Sequence, residues 1–297
     1  MLPAPFTTDF LNRLEALRVR TRKAVLGNRP GAYTSPRRGA SLEFADYRRY
    51  SPGDDIRYID WGIFARSDRL YVRLFHQEVD LFVYVFVDAS GSMNFPSRAE
   101  KFTPACNLAL ALSYVVLANQ DHVRLHCLRE SESAEASPFY QGRHRMIDLL
   151  DFVSAAAPAG PLDMAASLGR HLKRIRRPGK AILISDFLAP AESYHRGLNL
   201  LRAFNLDIAA IQVLSRREIE PRFQRGGLAL VDSESGEELR LRWNERRRRA
   251  YRESLERHNR ALKSFCHQSA IDYSLFVTDE DLSDFVLTTL PSIGLFK

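Results

Sequence analysis

The chain is short of several things whose absence narrows its function. Among its 297 residues are three cysteines, Cys106, Cys127 and Cys266. An odd number, widely spaced and set among apolar neighbours, excludes a disulfide framework and a thiolate metal site, and predicts three reduced core residues. No apolar run approaches the roughly 20 residues needed to cross a bilayer. Residues 1–9 lack the basic region, apolar core and small-residue cleavage site of a secretory signal, so a soluble cytoplasmic protein is expected. Internal repeats and low-complexity tracts are missing as well. So are the common catalytic signatures: there is no G-x-x-x-x-G-K-[ST] phosphate loop, no H-E-x-x-H pair and no G-x-S-x-G elbow. His76, His122, His126, His144 and His171 stand in no metal-ligand spacing and read as surface or satisfied core residues. A phosphatase nucleophile at Asp88 would want a second carboxylate two residues on, where the chain has Ser90. The sequence therefore reads as a non-enzyme.

What is present is a regular alternation of strand and helix patterns. The run Leu81-Phe82-Val83-Tyr84-Val85-Phe86-Val87 suits a strand buried on both faces, as in the middle of a parallel sheet. Further strands are expected at 122–128, 180–185, 207–214 and 271–277, with helices at 98–119, 143–156, 163–176, 191–204 and 245–268. This predicts an α/β fold with a doubly wound, mainly parallel sheet. Residues 228–232 and 238–243 break the rhythm and read as a β-hairpin insertion, at about 226–243. Ahead of residue 81 lie an amphipathic helix at 10–25, a Gly/Pro/Ser-rich connector at 27–39, and a charged segment with extended pieces at 44–50 and 71–75. The expected divisions are 1–39, helix and linker; 40–80, the charged segment; and 81–297, the main domain with its hairpin.

Chemistry gathers where the first strand ends. Asp88, Ser90 and Ser92 place three hard oxygen donors at alternate positions of one turn, the donor type that Mg²⁺ and Mn²⁺ take. Taken alone, such residues also turn a chain and cap a helix. The strand at 180–185 runs into Asp186. In an open α/β sheet, ligands collect at the carboxyl ends of strands where the winding reverses. Were the two strands neighbours, Asp88 and Asp186 would face one crevice and repel unless a cation or protons compensated them.

The D-x-S-x-S pattern, with Asp186, resembles the metal-ion-dependent adhesion site of von Willebrand factor A domains. Such a site draws a further threonine hydroxyl from an intervening loop, but residues 157–164 read Ala-Pro-Ala-Gly-Pro-Leu-Asp-Met, with no Ser or Thr. Weak metal binding is the expectation, with Asp163 either replacing the hydroxyl through a water or, as favoured here, capping the next helix. Upstream, Glu43 to Trp61 spell E-F-x-x-x-R-x-Y-x-P-G-D-D-x-R-x-I-D-W, followed by Ser185-Asp186-Phe187 and Asp232-Ser233-Glu234-Ser235-Gly236. This is similar to the signature of the bacterial family called domain of unknown function fifty-eight, over roughly residues 38 to 290. The resemblance implies a von Willebrand A-like, Rossmann-like fold and a non-catalytic interaction module. It also implies a cation at Asp88, Ser90, Ser92 and Asp186 offered to a partner carboxylate, and cooperation with a MoxR-type AAA+ ATPase on a client protein.

Within the signature, Arg48, Tyr50, Asp54, Asp55, Arg57 and Asp60 are either a charge-paired turn or a partner-docking surface, and Trp61 reads as core. The formal net charge of +7 points weakly to an acidic partner. The alternative function, nucleic-acid binding through the helix at about 240–260, rests on Arg246, Arg247, Arg248 and Arg249. These lie off the apolar stripe of Trp243, Tyr251, Leu255, Leu262 and Phe265 and among Glu245, Glu253 and Glu256, so a solvated outer face is expected there and nucleic acid is not.

Overall fold

The computed structural model describes residues 5–22, 43–76, 81–130, 135–223, 226–233 and 236–297; the connector expected at 27–39 lies outside them. Residues 1–23 group with 81–297 in one unit, and 24–80 form another. In chain order the elements begin with α1 (Thr8–Glu15), β1 (Glu43–Arg49), α2 (Trp61–Ser67) and β2 (Tyr71–His76). They continue with β3 (Phe82–Asp88), α3 (Phe102–Ala118), β4 (His122–Leu128), β5 (Glu135–Ala136), α4 (Met146–Ala155), α5 (Met164–Leu172) and β6 (Lys180–Ser185). Then come α6 (Ala191–Ala203), β7 (Asp207–Leu214), α7 (Arg216–Ile219), β8 (Gly226–Val231), β9 (Glu238–Trp243), α8 (Glu245–Gln268) and β10 (Asp272–Val277).

In the smaller unit β1 and β2 pair antiparallel, with an irregularity between Phe44 and Asp46. Asp60 is the polar node that organises it. One carboxylate oxygen caps α2 by accepting from the Ile63 amide at 3.0 Å, and the other accepts from the Tyr47 hydroxyl at 3.0 Å and Arg73 Nε at 2.9 Å. Arg73 foremost, together with the Ile63 amide, holds its carboxyl down at about 2.

The larger unit is a six-stranded sheet in the order β10-β7-β6-β3-β4-β5, parallel throughout except for the short edge strand β5. Every residue of β3 is buried, as a central strand requires. Its even-numbered residues Phe82, Tyr84 and Phe86 join Leu168 of α5, Leu198 of α6 and Leu262 of α8 in one core cluster. Helix α3, apolar all round, packs along β3 and β4 and also carries α1 and α4. Cys106, Cys127 and Cys266 are all free and buried. The chain winds outward from β3 through β4 and β5, then returns to β6 on the other side of β3 and winds outward again. The reversal therefore falls between β3 and β6. The insertion forms a separate hairpin in which Leu228 is in register with Leu241 and Leu230 with Leu239.

The N-terminal helix is shorter than its amphipathic pattern. It ends at Glu15, after which Arg18 and Arg20 donate their amides to the carbonyls of Lys297 and Leu295, and Val19 bridges Phe296. Pairing with the C-terminal segment satisfies this backbone better than one more exposed helical turn would. Arg22 continues the tie, its amide meeting Asp207 at 2.9 Å and its guanidinium meeting Asp272. Both carboxylates also hold the fully buried Lys180 Nζ, at 3.0 and 2.9 Å.

One core feature departs from the expected satisfied histidines. His126 and His171 meet Nδ1 to Nδ1 at 2.9 Å inside the core, and the other ring nitrogen of His126 has no hydrogen-bond partner among the described residues. Burial keeps His126 far below the usual imidazole range and brings His171 down to about 4. A proton thus binds the unfolded chain first. Stability from this pair is complete above the unfolded value near 6.5 and drains away as pH falls towards 4, by about 3 kcal/mol for His171. Urea midpoints at pH 7, 5 and 4 should show this slope, flattened in His171→Leu; an unchanged slope in the variant would remove the histidine from the account.

Candidate functional site

The site grows from the carboxyl ends of β3 and β6. The two strands run in parallel register up to Val87 opposite Ile184, so Asp88 and the Ser185-Asp186 step leave the sheet side by side. Asp88 accepts from the Ser90 amide at 2.8 Å through one oxygen and from the Ser185 hydroxyl at 2.6 Å through the other. Ser90 and Ser92 hydroxyls lie 3.0 Å apart. All four sequence-derived ligand residues thus meet at the switch point. Asp88, Ser90 and Asp186 are buried, and Ser92 is half-buried. Exposed Phe95 and Leu188 stand three and two residues beyond Ser92 and Asp186.

Burial first, and then repulsion from Asp186, pushes the Asp88 carboxyl above its ordinary range. Its partners are hydroxyls and an amide, none of which neutralises it. One carboxylate and two hydroxyls are donors of the type a hard cation takes, although among the described residues no group of three or more His, Cys, Asp or Glu side chains is placed to hold a metal ion. Asp186 is in a different condition. Its Oδ2 lies 2.7 Å from Nζ of Lys101, which is wholly buried at the start of α3, and its Oδ1 accepts from the Leu188 amide at 3.1 Å. The same ammonium donates to Glu218 Oε1 at 2.6 Å and to the Ser92 carbonyl at 3.1 Å. Burial alone would drive Lys101 towards the neutral amine, but the charges of Asp186 and Glu218 outweigh it and raise its pKa. Glu218 reaches inward from α7, where Ser215 and Glu218 form a capping box and the Ser215 amide meets Oε2 at 2.8 Å. Lys101 and Glu218 carry no motif, and the sequence reading missed both.

Two loops close around Gly91. Its amide donates to the Gly160 carbonyl at 2.7 Å, and the Ala159 amide donates to the Ala89 carbonyl at 3.0 Å. A Cβ on Gly91 would stand 2.4 Å from the Ser233 carbonyl oxygen of the β8–β9 turn, which is why only glycine fits. Asp163 caps α5, accepting from the Ala166 amide at 3.0 Å.

Residues 46–261 match the family described as Protein of unknown function DUF58. The chain belongs to that family. Uncharacterized protein Rv1480 of Mycobacterium tuberculosis is 31% identical to this DUF58 member over 204 residues, 67% of this chain and 62% of its own. Uncharacterized protein MAV169 of Mycobacterium avium is 35% identical over 104 residues, 33% of this chain and 59% of its own. This chain therefore spans less than two thirds of each relative's length. Among solved structures, BatB from Bacteroides thetaiotaomicron superposes over 72% of this chain and 98% of its own, with a TM-score of 0.40 at 11% identity. Manganese-loaded TRAP from Plasmodium vivax does so over 45% and 57%, with a TM-score of 0.33 at 22% identity.

The DUF58 signature segment pairs its charges internally. Arg48 meets Asp54 at 2.7 Å, Arg57 grips Asp55 with a shortest contact of 2.6 Å, and Asp60 is buried on Arg73. Tyr50 donates its amide to the Leu70 carbonyl at 3.0 Å. Trp61, read as core, is instead 61% exposed, and Ile56 is 63% exposed. Asp60 caps α2, and no residue of this helix is buried. On α8, Arg248 and Arg249 pair with Glu245 and Glu253 at the surface, while Leu255, Leu262 and Cys266 face the core. No described helix is long and apolar enough to cross a membrane.

Proposed function

We propose that this DUF58 chain is a non-catalytic protein-interaction module that binds a partner at the carboxyl ends of β3 and β6. The observation that carries the reading is the meeting of Asp88, Ser90, Ser92 and Asp186 at the switch point, beside the exposed apolar side chains of Phe95 and Leu188. The Ser90 hydroxyl lies 3.0 Å from the Ser92 hydroxyl and beside the Asp88 carboxylate, a group of oxygen donors that suits holding a cation. In this reading Asp88, Ser90 and Ser92 hold a Mg²⁺ or Mn²⁺ ion weakly, with Asp186 beside them, and a partner Asp or Glu completes its coordination. The partner is a MoxR-type AAA+ ATPase, and the chain links it to a client protein during assembly or remodelling. Ile56 and Trp61 offer a further contact surface of the kind that dominates interface energetics.

Mixing the purified chain with a purified MoxR-type ATPase of the same cell, in Mg²⁺ and in chelator, tests the proposal. The expected result is a complex that weakens in chelator, with no ATPase, esterase or phosphatase turnover by the chain alone. No complex in either buffer would end the ATPase partnership. Turnover abolished by Ser90→Ala would end the non-catalytic reading.

A further inference from the structure

Lys101 has no part in the motif, yet it lies at the centre of the site. Its ammonium is fully buried and each of its three protons has a receiver: Asp186 Oδ2 at 2.7 Å, Glu218 Oε1 at 2.6 Å and the Ser92 carbonyl at 3.1 Å. These receivers belong to three different pieces of chain, namely the end of β6, helix α7 and the loop that follows β3. A lysine with fewer partners would not keep its charge in such a place, because taking an ammonium out of water is costly unless oxygen atoms replace its hydration. Two carboxylates facing one ammonium make the charge stable where it is.

We propose that Lys101 is the resident cation of this site. It balances Asp186 and Glu218 and pins the Ser92 carbonyl, so that the loop from Asp88 to Asn94 keeps its shape with no divalent metal present. The ammonium thereby bridges the loop that follows β3 to the aspartate that follows β6. Where a metal is taken, as proposed above, it enters the corner of Asp88, Ser90 and Ser92, whose carboxylate has no cationic partner among the described residues. Only this last clause rests on the proposed function; the bridging role of Lys101 stands without it. Lys101 is a positioning residue in this account, since it acts on the loop and not on a ligand.

Residue-resolved hydrogen exchange reads the loop directly, through the Ser90 and Gly91 amides that are bonded to Asp88 and Gly160. In the wild type their exchange should agree within about twofold between chelator and Mg²⁺, whichever way the metal question falls. In Lys101→Met with Glu218→Gln, which leaves one unpaired carboxylate rather than two, both amides should exchange at least about tenfold faster in chelator. The Ala209 and Ala210 amides of β7 should not change, which separates loss of the bridge from global destabilisation. Replacing all three charges, Lys101→Met with Asp186→Asn and Glu218→Gln, relieves the stray charge but not the lost bridge, so both amides should stay fast; full recovery of protection would overturn the pinning role of Lys101. Wild-type amides that speed up tenfold in chelator would overturn the proposal, because metal would then hold the loop. A double variant as well protected as wild type would overturn it too. Calorimetry with Mg²⁺ on the same wild-type sample reports on the metal separately: an absence of heat would remove the ion from the proposed function and leave the Lys101 bridge untouched.

Discussion

Lys180→Met is expected to cost about 3–5 kcal/mol of folding stability, the penalty for leaving buried carboxylates without their cation. Lys180 opens β6 with its side chain wholly enclosed, and its ammonium meets Asp207 at the start of β7 and Asp272 at the start of β10. Three neighbouring parallel strands are thereby joined at their amino ends. Methionine matches the length of the stem but brings no charge, so two aspartates would face each other with Arg22, whose side chain is half exposed, as their remaining cation. Urea midpoints measure the loss. Neutralising the partners as well, with Asp207→Asn and Asp272→Asn, should return most of it, because the cost lies in the uncompensated charge and not in a missing methylene. A Lys180→Met variant within about 1 kcal/mol of wild type would mean that solvent or Arg22 already satisfies both carboxylates.

Asp88→Ala should weaken partner binding about 30-fold or more, and Ser92→Ala about fivefold at most. The first substitution removes a buried charge from the proposed contact, an effect of about 2 kcal/mol or more, whereas the second removes a neutral hydroxyl worth about 1 kcal/mol. Both variants should keep the fold, since neither side chain lies within the core cluster beneath the sheet. Affinity for the ATPase, measured with each variant in Mg²⁺ and in chelator, decides the matter. Binding indifferent to chelator and to Asp88→Ala would reduce the Asp88 turn to an ordinary strand-to-helix junction. Recognition would then pass to the segment at 43–76, where Ile56 and Trp61 are exposed and Trp61→Ala becomes the variant to measure.

Those substitutions separate what local pattern can reveal from what it cannot. Strand β3 was legible because seven apolar residues in a row have one economical home, the middle of a parallel sheet. Asp88 and Asp186 were legible as a pair because both follow such runs, and the carboxyl ends of central strands converge at a switch point. The hairpin announced itself as two short alternating stretches around a polar turn, and the Asp163 cap by its place before a helical pattern. Each of these signals is carried by residues close together in the chain.

The overturned or missing readings share the opposite property. The helix expected at 10–25 stopped at Glu15 because the far end of the chain supplied backbone partners for residues 18 and 20. Trp61 reads as a core residue by type, but α2 buries none of its residues, and the Asp60 that caps it is held by Tyr47 and Arg73, each 13 residues away. The imidazoles of His126 and His171 found each other across 45 residues. Lys101 is separated from Asp186 by 85 residues and from Glu218 by 117.

By itself the sequence determined the α/β class, the central strand, the insertion, and the place of two aspartates and two serines after two strand-like runs, because apolar periodicity and turn chemistry act over a few residues. Only the tertiary structure decided which charges those aspartates meet. A buried ammonium is stable only where folding brings enough oxygen atoms around it, and no short window of sequence contains that shell.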